Sequence, residues 1–177
     1  MSEANHPQIT EPVIYELAIE TAKQLDVMHD ELAGIKWTDD EANTDSGFSS
    51  LASQVAEDTW NVLMKKKYPE FSNVEIHCTK PDINITFTYP DGQKSEFKIE
   101  LKSSKSDALP GSTCGSLDVN QPMIFCRRPN MKAKNPKPYK VKCGQYHSAM
   151  KCTETDLFQD RTPRPRILFS QLHELDD

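Results

Sequence analysis

Residues 81–102 read PDINITFTYPDGQKSEFKIELK, and two runs of alternation lie within them. In the first, Ile83, Ile85, Phe87 and Tyr89 share one face while Asn84, Thr86 and Thr88 take the other. In the second, Phe97, Ile99 and Leu101 lie opposite Lys98, Glu100 and Lys102. Pro90-Asp91-Gly92 between them carries turn chemistry, with Gly92 suited to the left-handed position of a three-residue hairpin loop. That loop pairs Tyr89 with Gln93 and sets Asp82 opposite Glu100, so Asp82, Glu100 and Lys102 converge on the polar face. A two-residue Asp91-Gly92 loop would oppose Asp82 to Leu101 and separate the acids. The longer loop is preferred because it keeps the apolar residues of both strands on one side. Two carboxylates and an ammonium gathered in this way are the chemistry of a divalent-metal site with a positioned lysine.

Upstream, Ile14, Leu17, Ala18, Thr21, Leu25 and Met28 recur at helical spacing after Thr10 and Pro12, which predicts an amphipathic helix over 11–30. The polar run 38–47, TDDEANTDSG, reads as a loop. A second helix is expected over about residues 50–67, capped by Ser49 or Ser50. Its apolar face is read as Leu51, Ala52, Val55, Ala56, Thr59, Val62 and Leu63, with Trp60 near the edge and Glu57 beside it. A carboxylate there needs a partner, either a lysine or a metal-bound water. Lys65, Lys66 and Lys67 suit the last turn before Tyr68-Pro69 ends the helix. Val74, Ile76 and Cys78 alternate into a strand that leads to Pro81.

Past Lys102, the run 103–116 (SSKSDALPGSTCGS) reads as a polar loop, and 117–121 (LDVNQ) as a short helical turn. Met123–Cys126 and Tyr139–Cys143 are strand candidates flanking a basic loop, and Ile167–Phe169 is a last strand candidate. The chain holds 27 acids and 21 Lys or Arg, net −6, but the charge is uneven. Residues 1–61 hold 13 acids and two lysines, whereas 119–153 hold eight Lys or Arg and no acid. Arg127, Arg128, Lys132, Lys134, Lys137, Lys140, Lys142 and Lys151 make that segment a candidate phosphate-facing surface, with a solvated basic loop as the alternative. Ser103 and Lys105 are further phosphate candidates. Asn120 and Gln121 are candidates for base or water contacts, or for capping a turn.

At 177 residues and 36 % hydrophobic content the chain is read as one soluble domain. No apolar run is long enough for a membrane helix, and the N-terminal residues lack the pattern of a secretory signal. Five cysteines without a CxxC pair fit free thiols in a reducing compartment, hence an intracellular location. Cys143, His147 and Cys152 match no familiar zinc spacing. A phosphate-binding Gly-rich loop, GxSxG and HExxH are all missing, which disfavours an ATPase, a serine hydrolase and a zincin.

The Pro-Asp…Glu-Leu-Lys arrangement of Pro81, Asp82, Glu100, Leu101 and Lys102, preceded by a helix bearing Glu57, resembles the PD-(D/E)XK nuclease superfamily over about residues 50–126. LKSSKS, LDVNQP and TDLFQDRTPRP are similar to stretches of restriction-endonuclease-like proteins from large DNA viruses of algae. The resemblance implies a mixed α/β restriction-endonuclease-like core, with a central mixed sheet flanked by helices. It also implies one nuclease domain over 1–177: an N-terminal helix and acidic loop (1–48), a catalytic core (49–126), and basic C-terminal strands and loops (127–177). Asp82 matches the family's metal-bridging aspartate and Glu100 the second metal ligand, with the Leu101 carbonyl as an extra oxygen. Lys102 matches the lysine that orients the attacking water, and Glu57 the helix acid. The implied activity is Mg²⁺-dependent hydrolysis of duplex DNA by a homodimer, with Mn²⁺ able to substitute and either one or two metals per site. A structure-selective, single-strand or RNA nuclease and a non-catalytic nucleic-acid-binding protein are the alternatives.

Overall fold

The computed structural model describes residues 6–37, 46–110, 121–145, 150–151 and 166–172. Helix α1 (Glu11–Asp26) begins with Pro12 in its first turn and buries Ile14, Leu17, Ala18, Thr21, Ala22 and Leu25. It ends at Asp26, and α2 (His29–Ala33) follows as a separate short helix, where the periodicity had suggested one run to residue 30.

Helix α3 (Ser46–Thr59) starts earlier than expected, so Ser49 lies inside it and does not cap it. A π-helical turn (Trp60–Met64) and a last α-turn (Lys65–Lys67) continue it. The π-turn explains a second departure from the expected face. Its wider i→i+5 ring carries an extra residue and rotates everything beyond it. Trp60 and Met64 therefore become fully buried, while Val62 and Leu63, expected inside, are 64 % and 39 % exposed. The Trp60 indole N–H donates to the Val74 carbonyl at 3.1 Å and fixes the new facing.

The main sheet has five strands in the order β1-β2-β3-β5-β6. These are β1 (Glu75–Thr79), β2 (Ile83–Thr88), β3 (Lys94–Ser104), β5 (Pro122–Arg127) and β6 (Lys140–Gln145). The β3–β5 pair is parallel and the other pairs are antiparallel, so the class is mixed α/β. The Tyr89 N–H donates to the Gln93 carbonyl at 2.8 Å and Gly92 sits at φ +86°, as the three-residue loop requires. The register runs Ile83↔Ile99 to Thr88↔Lys94. β3 is longer than the alternation indicated, taking in Ser103 and Ser104 from the expected polar loop. A smaller sheet joins β4 (Ala108–Pro110), β8 (Arg166–Leu168) and β7 (Met150–Lys151) in that order.

Ile83, Ile85, Phe87, Ile99, Leu101, Ile124, Cys126, Val141 and Cys143 form one core with the buried faces of α1 and α3. On the opposite face of β5 and β6, Phe125 packs edge-on against Phe169 at 5.3 Å. Gly144 lets the C-terminal segment close on this side: a Cβ there would lie 2.6 Å from Leu172 Cδ2. No helix among the described residues is long and apolar enough to cross a membrane.

Candidate active site on the polar face of the β2–β3 hairpin

β3 changes partners at residue 100. Its antiparallel ladder with β2 stops at Ile99, and its parallel ladder with β5 starts with Glu100↔Met123. Where β2 has not yet begun, the turn 80–82 occupies the space beside Glu100 and Leu101. The turn contains a cis Lys80–Pro81 peptide, and Asp82 lies just outside β2 with φ +53°. Asp82 is therefore a turn residue in the left-handed region, which Asp and Asn tolerate better than other side-chain-bearing residues, and not a strand residue as the alternation implied. Its Oδ1 accepts the Leu101 N–H at 3.0 Å, extending the hydrogen bonding of β3 by a side chain after the β2 backbone has turned away. The Ser49 hydroxyl donates to the Asp82 carbonyl at 2.5 Å, tying α3 to the same turn. The sequence reading took Ser49 only as a helix-cap candidate, because its role here depends on a partner 33 residues away.

The expected convergence is present. Asp82 and Glu100 are buried to 6 % and 9 % exposure, and Lys102 Nζ lies 3.1 Å from Glu100 Oε1. The cluster has a fourth member that sequence reasoning left on the face without a role. Lys98 Nζ bridges the two carboxylates, 3.4 Å from Asp82 Oδ2 and 3.2 Å from Glu100 Oε2. Burial pulls the Lys98 pKa down, but the Glu100 carboxylate and then Asp82 outweigh it, so the ammonium is held above its ordinary value of 10.5. Residues 98, 100 and 102 alternate onto one face, and that spacing was the available signal for Lys98.

Glu57 is placed differently. Its Oε1 accepts the Cys78 N–H on edge strand β1 at 2.8 Å and lies 4.0 Å from His77 Nδ1. The partner its position demanded is thus a backbone amide. Among the described residues no three acidic, His or Cys side chains gather as a metal-binding group. Burial pushes the thiols of Cys78, Cys126 and Cys143 up to about 12, with Glu57 adding to the effect at Cys78, which leaves them protonated and inert at neutral pH.

The basic segment divides in two. Lys132 and Lys134 lie on an exposed loop between β5 and β6, and Lys105 is exposed beyond the end of β3. The other cations fold back into the protein. Arg128 is buried with its guanidinium 4.9 Å from the Trp37 ring centroid, and Arg127 lies over Phe169 and pairs with Asp107 at 3.3 Å. Lys140 pairs with Asp26 at 3.1 Å, and buried Lys142 lies over Phe169 with its Nζ 3.5 Å from the Leu172 carbonyl. Ser103 is buried within β3. Gln121 immediately precedes β5, and Asn120 lies outside the described residues, as do His147 and Cys152.

Two hollows lie toward opposite ends of β3. Beyond Lys102, a pocket of about 220 Å³ is lined by Lys105, Arg127, Arg128, Asn130, Asn135 and Lys137. Before Glu100, a larger cleft of about 770 Å³ opens beside Lys98. No family model, curated protein or solved structure matches the chain.

Proposed function

We propose that the chain is a divalent-metal-dependent endonuclease with a PD-(D/E)XK, restriction-endonuclease-like core, hydrolysing phosphodiester bonds of duplex DNA. The observation that carries this reading is the pair Asp82 and Glu100, buried and flanking one cation position, with Lys102 against Glu100. The donor set fits a hard ion: two carboxylate oxygens already flank a positive charge, and the ammonium between them belongs to a 44 %-exposed side chain with room to leave. A Mg²⁺ or Mn²⁺ ion bound there would lower the pKa of a bound water and offset charge building on the phosphate. Asp82 and Glu100 would hold it, with the Leu101 carbonyl as a further oxygen. A single ion suits the geometry better than two, because Glu57 is engaged at β1.

The protein's own groups supply the rest. Lys102, only 11 % exposed in its side chain and fixed by Glu100, would orient the attacking water and hold its proton balance. The pocket lined by Lys105, Arg127, Arg128 and Lys137 sets four cations against one acid, Asp107, a charge suited to a backbone phosphate, with Asn130 and Asn135 as added donors. Cutting both strands of a duplex would require two copies, so a homodimer is part of the proposal.

The test is plasmid cleavage in Mg²⁺ by Asp82→Asn, Glu100→Gln and Lys102→Met, each checked for an unchanged melting temperature. Loss of cleavage in all three supports the reading, and full activity in all three overturns it. One observation favours a second reading, nucleic-acid binding without turnover: Lys98 already neutralises the carboxylate pair. Salt-sensitive DNA binding with no Mg²⁺-dependent cleavage of duplex, single-stranded DNA or RNA would select it.

A further inference from the structure

The 770 Å³ cleft has a structural cause. Residues Lys94–Ile99 of β3 pair with β2 on one side only, because the β5 ladder begins at Glu100. No described strand takes the place beside them. The start of α1, through Glu11 and Tyr15, and the sheet ends at Gln121 and Gln145 form the opposite wall. Lys98 lines this cleft and also bridges Asp82 and Glu100, so one side chain links the cleft to the carboxylate pair.

Its chemistry differs from that of the basic pocket at the other end of β3. Two carboxylates, Glu11 and Glu96, face one ammonium, Lys98, which disfavours a phosphate there. Asn84, Gln121 and Gln145 add amides that both donate and accept, while Tyr15 and Phe97 add aromatic surface. The Gln121 Nε2 is buried and has no hydrogen-bond partner among the described residues, an unmet donor in the wall of a cleft that also presents Pro12, Ile14 and Pro122. A neutral, flat ligand with N–H donors and an acceptor on one edge satisfies all of these groups together.

We propose that the cleft is a nucleobase pocket that takes the base next to the scissile phosphate, preferring guanine, whose edge offers adjacent N1–H and N2–H donors to one carboxylate, over thymine, which offers a single N3–H. Glu96 accepts from the base edge, Gln121 donates to a ring or carbonyl acceptor, and Tyr15 supplies a stacking surface. The proposal rests on the nuclease reading for the word "scissile" but not for binding itself. One strand then runs along β3, with its base in the cleft, one phosphate at Asp82 and Glu100, and a neighbouring phosphate toward Lys105.

The experiment is titration of the full chain with deoxyguanosine, deoxycytidine, deoxyadenosine and thymidine, followed by NMR in EDTA so that no metal takes part. Deoxyguanosine should bind saturably and at least tenfold more tightly than deoxycytidine, deoxyadenosine or thymidine. Glu96→Gln, at an exposed position, and Gln121→Leu should each weaken that binding about tenfold, while Lys66→Ala, at an exposed position in the last turn of the helix after the π-turn, leaves it unchanged. Ribose 5-phosphate should not compete. Absence of saturable binding by any nucleoside, or equal binding by wild type and both cleft variants, overturns the pocket. Because cleavage is scored separately with Mg²⁺, an empty cleft in an active nuclease and a filled cleft in an inactive protein are distinguishable results.

Discussion

The two faces of β3 use the same backbone for opposite ends. Ile99 and Leu101 point into the helical layer and are wholly buried, whereas Lys98, Glu100 and Lys102 alternate onto the other side. Glu100 is nonetheless almost as enclosed as its apolar neighbours, at 9 % exposure. The faces therefore differ less in burial than in what compensates it. The apolar face gains from leaving water, about 25 cal/mol per Å². The polar face must offset desolvation by pairing, and a buried ion pair is weak support for stability. Such a face is retained for chemistry more readily than for folding.

That contrast can be broken from either side. The largest effect is expected from Asp82→Asn, which keeps the left-handed turn preference but removes a charge from the proposed metal pair. Cleavage in Mg²⁺ should fall by about a thousandfold or more, measured as the initial rate of plasmid nicking, with a melting temperature within a few degrees of wild type. Leu101→Ala, one residue from Glu100 on the opposite face, should do the converse. It should cost about 2–5 kcal/mol of stability by urea unfolding, and whatever remains folded at low temperature should still cut.

Alkaline pH tests the buried side. Cys78, Cys126 and Cys143 have thiols raised from 9.0 to about 12 in the fold, so their neutral forms are favoured there. Their contribution to stability is complete below pH 9 and is lost as the pH rises toward 12. The limiting slope is about 1.4 kcal/mol per pH unit for each thiol. Lys98 acts in the same sense, its support being lost above 10.5 as the ammonium deprotonates. Cys126→Ala should flatten the alkaline limb of a stability-against-pH curve, and an unchanged limb would refute the assignment. The smallest effect belongs to Lys134→Ala on the exposed loop. Stability should shift by less than about 0.5 kcal/mol, and the slope of log binding constant against log salt should fall by about one. Arg128→Ala, by contrast, should destabilise the fold, since Arg128 is buried against Trp37.

The hairpin register was legible because alternation and the Pro90-Asp91-Gly92 turn are local and agree with each other. The β5–β6 hairpin was legible on different grounds, a compact apolar run at Met123–Cys126 and alternation at Tyr139–Cys143. The facing of Val62 and Leu63 was not, because a π-turn leaves no mark in a 3.6-residue pattern. The basic segment misled in part: Asp26, Trp37 and Phe169, which engage Lys140, Arg128 and both Arg127 and Lys142, are remote in sequence. Charge counting sees the cations but not these partners.

By itself the sequence determined which residues of 81–102 share a face, and hence that Asp82, Glu100 and Lys102 could meet, because side-chain alternation and turn length are properties of a short chain. Only the tertiary structure decided how they meet. The handover of β3 from β2 to β5 at Glu100 opened the space for the Asp82 turn, placed Lys98 between the carboxylates and left the cleft beside them. Those outcomes depend on where neighbouring strands begin and end, and that is settled by contacts between segments far apart in the chain.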